Sequence, residues 1–382
     1  MIMNNPLNKK IAIYYPCFLG GGAEAVGLWM MEALKDKYHL TLITFTDIDW
    51  QRLNLMYGTT LNAQSIKVDS LLPKSFYRFN NALASNNKHF RQLAIHLSLR
   101  YCKQKQRDYD LVISAYNAAD LGKPGMQYIH CIKVLEGGKL AQKYYNRISN
   151  FSVDNLKKNF SLANSGAVAA AIKDYYGIDA TVVYPPVVIE PANIAWQDKE
   201  NAFICSGRLV EAKQPHRVIQ CLEKVRQKGI DLKLYITGGG GGNAEAKYKR
   251  YLDQLIRDNS DWVQLLENLS YEEYSQVLYR CKYGIHFKPE PFGISIAEMV
   301  KAGIIPFTRE GGGPAEIIGQ QNTDLFFNNI EDAVEKIAHV MQNEDKQYQL
   351  LSSLEKQKVL FSTDKFMEDI NNVVTGYLQG NL

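Results

Sequence analysis

The chain has 382 residues, 46% of them hydrophobic and 22% charged, which is ordinary globular composition at a length that favours two domains. The net charge of +4 hides a split: residues 1–190 carry 22 Lys/Arg against 14 Asp/Glu, and residues 191–382 carry 22 against 26. An acidic second half and the lack of a recognisable binding motif argue against nucleic acid as a partner, and no apolar run approaches the ~18–20 residues of a membrane span.

The six cysteines show no CxxC and no paired spacing, so reduced thiols and a cytoplasmic location are expected. Lys9-Lys10, an apolar stretch and Ala23-Glu24-Ala25 imitate a signal peptide, but Pro16 and three glycines interrupt the stretch. It reads better as a first strand, Ile11–Tyr15, a glycine loop and a helix, Ala23–Leu34. In that loop Gly20, Gly22 and Ala25 fit the dinucleotide pattern G-x-G-x-x-G/A, with Asp47 as the ribose acid. Against that fit, Pro16-Cys17-Phe18-Leu19 separate strand from glycines, where the fingerprint allows almost no gap. The preferred reading is that Gly20-Gly21-Gly22 forms a backbone cradle at the cleft floor, facing a phosphate or an acceptor, with Gly21 and Gly22 as donor-binding candidates; a flexible connector is the alternative.

A strand at Leu40–Phe45 leads into Asp47-Ile48-Asp49, which with Asp108-Tyr109-Asp110 has the D-x-D form of metal-dependent transferases. Asp110 begins an apolar strand, Leu111–Ser114, and reads as a boundary residue. Between them, residues 67–107 hold nine Lys/Arg and one acid, interleaved with Phe76, Tyr77, Phe79, Phe90 and Tyr101. Such a stretch is either a solvated face or a surface for an anionic membrane or lipid-linked acceptor. Strands at Gln127–His130, Ser161–Ala163 and Thr181–Tyr184 follow. His130 ends its strand, where a structural histidine is as well founded as a ligand. Ser165, before a helix at Ala167–Tyr175, reads as an N-cap.

Pro185-Pro186 to Pro191 marks a linker, after which strand and helix alternate again. The second series comprises Ala202–Cys205, Leu232–Ile236, Trp262–Leu266, Gly284–Phe287 and Ile304–Phe307. Helices lie at Pro215–Gln227, Tyr271–Leu278 and Ile294–Lys301. Alternation throughout implies two α/β units with mainly parallel sheets. Gly238–Gly242 lacks the Lys-Ser/Thr of a P-loop, so nucleotide hydrolysis has little support. Arg208 and Lys213 stand between a strand end and the next helix, where two cations suit a departing diphosphate. Glu290 and Glu298 lie eight positions apart across a Gly-marked turn. A carboxylate among apolar helix residues must be satisfied or solvated; a ribose diol would satisfy Glu298. Gly293 permits close backbone approach and the helix start offers N–H groups to phosphate. The alternative is a solvated Glu298 on an amphipathic helix.

Together, Gly207-Arg208-Leu209 with Lys213, Glu290-Pro291-Phe292-Gly293 through Glu298-Met299, and Gly311-Gly312-Gly313-Pro314-Ala315-Glu316 resemble the retaining family 4 glycosyltransferases of the GT-B fold. Gly21-Gly22-Ala23-Glu24 resembles the family's N-terminal loop. Gln127-Tyr128-Ile129-His130, Asn164-Ser165 and Val183-Tyr184-Pro185-Pro186-Val187 resemble mannosyltransferases of lipid-linked or surface glycans. Pro291 stands where many members have glycine.

The resemblance implies an acceptor domain at 1–188, a sugar-nucleotide domain at 189–362 and a closing helix at 363–382 that returns to the first domain, the two Rossmann-like domains facing a cleft. It implies that Glu298 holds the ribose and Glu290 the hexose. Arg208 and Lys213 would hold the diphosphate with Phe292, Gly293 and Ile294 beside them, and His130 would meet the transferred sugar. The co-substrate would be GDP- or UDP-linked, the acceptor a glycan or lipid-linked saccharide, and neither cofactor nor metal would be needed. A sugar-nucleotide epimerase or hydrolase, and a non-catalytic partner subunit, are the other classes this fold accommodates.

Overall fold

The computed structural model describes residues 9–71, 77–132, 141–190, 194–239 and 246–382. Part of the basic segment (72–76), of the linker (191–193) and of the glycine run (Gly240–Gly242) therefore lies outside the described residues. The chain divides into two compact units, Met1–Pro186 with Thr363–Leu382, and Val187–Ser362. The break falls between Pro186 and Val187, two residues ahead of the expected one.

The first unit holds a seven-stranded sheet: β1 Lys10–Tyr14, β2 His39–Ile43, β3 Ile66–Asp69, β4 Leu111–Ser114, β5 Met126–Ile129, β6 Phe160–Ala163 and β7 Ala180–Val182. Every pairing is parallel and the order is β3-β2-β1-β4-β5-β6-β7. Parallel strands need crossovers and both faces covered, so the central strands read as unbroken apolar runs; all of Leu111–Ser114 and Met126–Ile129 is buried. The C-terminal helix Thr363–Leu378 belongs to this unit. Phe366, Ile370 and Val374, spaced by four, are buried, and Tyr38 and Thr375 hydroxyls meet at 3.2 Å.

The second unit holds six parallel strands: β8 Glu200–Ser206, β9 Lys233–Gly238, β10 Val263–Glu267, β11 Cys281–His286, β12 Ile305–Arg309 and β13 Phe326–Phe327. Their order is β10-β9-β8-β11-β12-β13. Both sheets run outward in two directions from their first strand, so each has a switch point, at β1/β4 and at β8/β11, where open α/β sheets bind ligands. Two edge strands, β3 and β13, escape sequence reading. Ile66–Asp69 buries only Ile66, and Phe326–Phe327 is two residues long. Among the described residues, no helix is long and apolar enough to cross a membrane, and all six cysteines are free thiols.

Candidate functional site

At the switch point of the second sheet, β8 and β9 end side by side. Thr237 Oγ1 meets Ser206 Oγ at 2.9 Å, and Gly207 N–H donates to Thr237 at 3.0 Å. Gly207 and Gly238 have φ of +150° and +151°, and a Cβ on Gly238 would lie 1.9 Å from the Gly207 carbonyl oxygen. Only glycine allows this approach. The chain then exposes Arg208, buries Leu209 and Val210, and turns through a short 3₁₀ helix, Glu211–Lys213. Gln214 takes a left-handed conformation (φ +58°) ahead of Pro215, which opens the helix Pro215–Gln227. This reversal brings the Lys213 stem back over Gly207, its Cδ 3.8 Å from where a Cβ on Gly207 would lie. Arg208, Lys213 and His286 line one small depression with Gly207. Among the described residues, Arg208 pairs with no carboxylate.

From β11 comes a residue that the sequence reading did not single out. His286, 2% exposed, places Nδ1 3.0 Å from the Lys288 carbonyl oxygen. A carbonyl only accepts, so Nδ1 carries the proton and Nε2, 3.7 Å from Glu290 Oε1, does not. Burial pushes the His286 pKa down to about 4; Glu290 opposes the shift and Lys213 adds to it. The same Glu290 oxygen lies 2.5 Å from Lys213 Nζ and 3.6 Å from Lys288 Nζ. Four residues from Glu290 at a strand end was the available signal for His286, and it is a weak one.

Glycines hold the Glu290 loop. Gly313 N–H donates to the Glu290 carbonyl at 3.3 Å, and a Cβ on Gly313 would sit 2.3 Å from Phe292 Cα. The Phe292 side chain is buried against Phe361, ring centres 5.6 Å apart, so the ring is not offered to a ligand. Gly293, at φ +103°, opens the helix Ile294–Lys301, whose start no side chain caps. Its first N–H groups are available to an anion. One turn along, partly buried Glu298 accepts a 2.8 Å bond from Tyr274 Oη, its one hydrogen-bond donor among the described residues. Burial raises its pKa to about 7, against the Tyr274 bond, which lowers it.

His130, Gly21 and Gly22 belong to the first unit. His130 lies one residue past β5, with Nε2 donating to the Ala115 carbonyl at 2.9 Å and burial pushing its pKa down to about 4. Its Nδ1 is thereby an unprotonated acceptor. Gly21 (φ +140°) is the N-cap of the helix Gly22–Leu34. Much of the backbone of the glycine loop is engaged within its own unit. Leu19 and Gly20 N–H groups both donate to the buried Glu24 carboxylate, which also accepts from Tyr57 Oη at 3.0 Å. Gly21 N–H in turn donates to Tyr57 Oη at 3.2 Å, so none of these three groups is offered to a phosphate.

The D-x-D aspartates have local work. Asp49 caps the helix Trp50–Tyr57, and Asp110 accepts from Lys10 N–H at 2.8 Å and pairs with Lys9. Ser165 is an N-cap, accepting from Val168 N–H. In the basic segment, Lys103 is not a surface charge: its ammonium lies 2.7 Å from fully buried Asp120 and bonds the Ser149 and Asn150 carbonyls. Lys88, Arg100 and Arg107 are exposed, as are Lys143, Tyr144 and Arg147 on the helix Ala141–Ser149 that packs beside Lys88–Lys105.

Residues 189–357 match the family model for Glycosyl transferases group 1. Over 212 residues the chain is 26% identical to a Dictyostelium discoideum GDP-Man:Man(3)GlcNAc(2)-PP-Dol alpha-1,2-mannosyltransferase, covering 51% of this chain and 41% of that protein. The Homo sapiens protein of the same name is 25% identical over 203 residues, covering 48% and 41%. The matched stretch thus spans less than half the length of either relative. Among solved structures, Anabaena HepE in complex with UDP-glucose superposes over 97% of this chain and 100% of its own, with TM-score 0.70 at 17% identity. WaaG, a glycosyltransferase involved in lipopolysaccharide biosynthesis, does so over 96% and 100%, with TM-score 0.66 at 13% identity. Residues 189–357 therefore resemble the group 1 glycosyltransferases, in a chain with the α/β fold of the GT-B enzymes.

Proposed function

We propose that the chain is a retaining glycosyltransferase that moves a hexose, mannose foremost, from a nucleoside-diphosphate sugar to a glycan or lipid-linked acceptor. The observation that carries this reading is the convergence of Arg208, Lys213, Glu290 and the uncapped start of Ile294–Lys301 at one switch point, with Glu298 a turn beyond. Cations and helix N–H groups meet a diphosphate, one carboxylate meets the ribose diol and the other the hexose. GDP-mannose is the first donor to test because both relatives carry it in their names; UDP-linked sugars come next, given the UDP-glucose bound to HepE.

In the proposed reaction the bond from the anomeric carbon to the diphosphate breaks as an acceptor hydroxyl bonds the same face. The hydroxyl proton passes to the departing phosphate oxygen, and Arg208 and Lys213 stabilise the charge that grows there. On this reading no metal is required, and activity survives EDTA. His130 Nδ1, fixed as an acceptor, takes a substrate hydroxyl, and the loop at Gly21 and Gly22 serves substrate binding in the first unit. The exposed cations of residues 67–107, with Lys143 and Arg147, meet an anionic membrane at its cytoplasmic face, where each contributes ~1 kcal/mol.

A thermal-shift panel of GDP-, UDP- and ADP-linked sugars tests the donor, since a ligand at ~100 times its dissociation constant adds ~2.7 kcal/mol of stability. Stabilisation by at least one is expected. A panel without any shift, or a bound donor that is only epimerised or hydrolysed with glycan acceptors present, would overturn the reading.

A further inference from the structure

Resting on that reading, we propose that the Lys213–Glu290 ion pair is a device by which the site distinguishes an intact sugar nucleotide from the free nucleoside diphosphate. The ammonium assigned to the diphosphate is held 2.5 Å from the carboxylate assigned to the hexose. The two side chains are 21% and 12% exposed, so water screens the pair only in part. A diphosphate that binds Lys213 competes with Glu290 for its single positive charge, which cannot fully neutralise both anions.

What Glu290 then retains is poor. His286 cannot replace the lost cation, because its unprotonated Nε2 faces the carboxylate and its Nδ1 proton is committed to the Lys288 carbonyl. Lys288 stays 3.6 Å away, beyond hydrogen-bond distance, with a side chain 34% exposed. The Glu290 loop has no room to withdraw, because Gly312 and Gly313 are packed on its backbone, and a Cβ on Gly312 would lie 2.7 Å from the Glu290 carbonyl oxygen. Diphosphate binding alone therefore leaves a crowded carboxylate beside a new anion.

An intact donor repairs this loss, since its hexose hydroxyls donate to the oxygens that Lys213 vacates. The free diphosphate has no such donors. The pair thus favours the donor over the product it becomes, and once the hexose has left, Glu290 can reclaim Lys213 and expel the diphosphate. Charge neutralisation by Glu290 is the origin of the selectivity, so removing that charge should tighten the product while weakening the donor.

Titration calorimetry of the full chain tests this with GDP, UDP and ADP and their hexose conjugates, on wild type, Glu290→Gln and Arg208→Ala. Glu290→Gln keeps the shape of the side chain, and circular dichroism checks that it folds. The expected result is about tenfold tighter binding of the preferred free diphosphate to Glu290→Gln, with no gain for its sugar conjugate. Arg208→Ala should weaken both by similar factors. Equal or weaker diphosphate binding by Glu290→Gln, or equal gains for diphosphate and conjugate, would overturn the inference while leaving the donor site standing. No binding of any nucleotide to wild type would overturn the donor site and the inference together.

Discussion

If Glu298 holds the ribose as proposed, it trades stability for binding. Its carboxyl accepts a hydrogen bond from Tyr274, and burial lifts its pKa from 4.5 to about 7. Between those values the folded protein holds a proton that the unfolded chain releases. This contribution to stability is therefore fully present below pH 4.5 and lost as pH rises through about 7. Glu298→Gln has no such loss and should melt above wild type at pH 8, as read by calorimetric melting at pH 5 and pH 8. On the proposed ribose role the same substitution would remove a charge-assisted bond, so donor affinity should fall by about 1.5–3 kcal/mol. In wild type, donor binding should strengthen as pH rises through about 7; a pH-independent donor affinity equal to that of Glu298→Gln would remove the residue from the site.

At the scale of elements, what was legible in the sequence is what lies close along the chain. The places of eleven strands, though not most of their ends, the Glu290–Glu298 spacing and the boundaries of Pro215–Gln227 and Ile294–Lys301 follow from local apolar runs, glycines and prolines. What was hidden depends on partners that only the fold supplies. Lys103 looks like one more cation in a basic run until the fold brings Asp120 to 2.7 Å. The Gly20 N–H looks available until Glu24, a turn later, folds back onto it. β3 and β13 lie at sheet edges; β3 buries only Ile66, and β13, though buried, is two residues long, too short for an apolar run to mark it. The glycine loop at 311–313 was legible as a motif but not in its task, which is to carry the Glu290 loop. Gly313→Ala tests that task, because its methyl would press on the Phe292 and Pro291 backbones at 2.3–2.5 Å. Donor binding should drop at least tenfold with a lowered melting temperature; unchanged donor affinity would show that the loop does not position Glu290.

At the scale of the whole molecule, charge divides along the chain, and the basic half includes the exposed cations Lys88, Arg100 and Arg107. Neutralising these three should weaken binding to anionic vesicles and leave donor affinity unchanged, as measured by flotation and calorimetry. Lys103→Met should instead destabilise the fold by about 3 kcal/mol, because it strips a buried aspartate of its cation. Wild type that fails to float with anionic vesicles at low salt would favour a soluble acceptor. The central claim is retaining transfer from a site built on Arg208, Lys213, Glu290 and Glu298. Proton NMR of the product formed from the best-binding sugar nucleotide and a panel of glycan acceptors tests it most directly. The account predicts a glycoside with the donor's anomeric configuration, one nucleoside diphosphate released per bond formed, and turnover by Arg208→Ala reduced far more than its Michaelis constant is raised. A glycoside of inverted configuration, or undiminished turnover by Arg208→Ala, would contradict it.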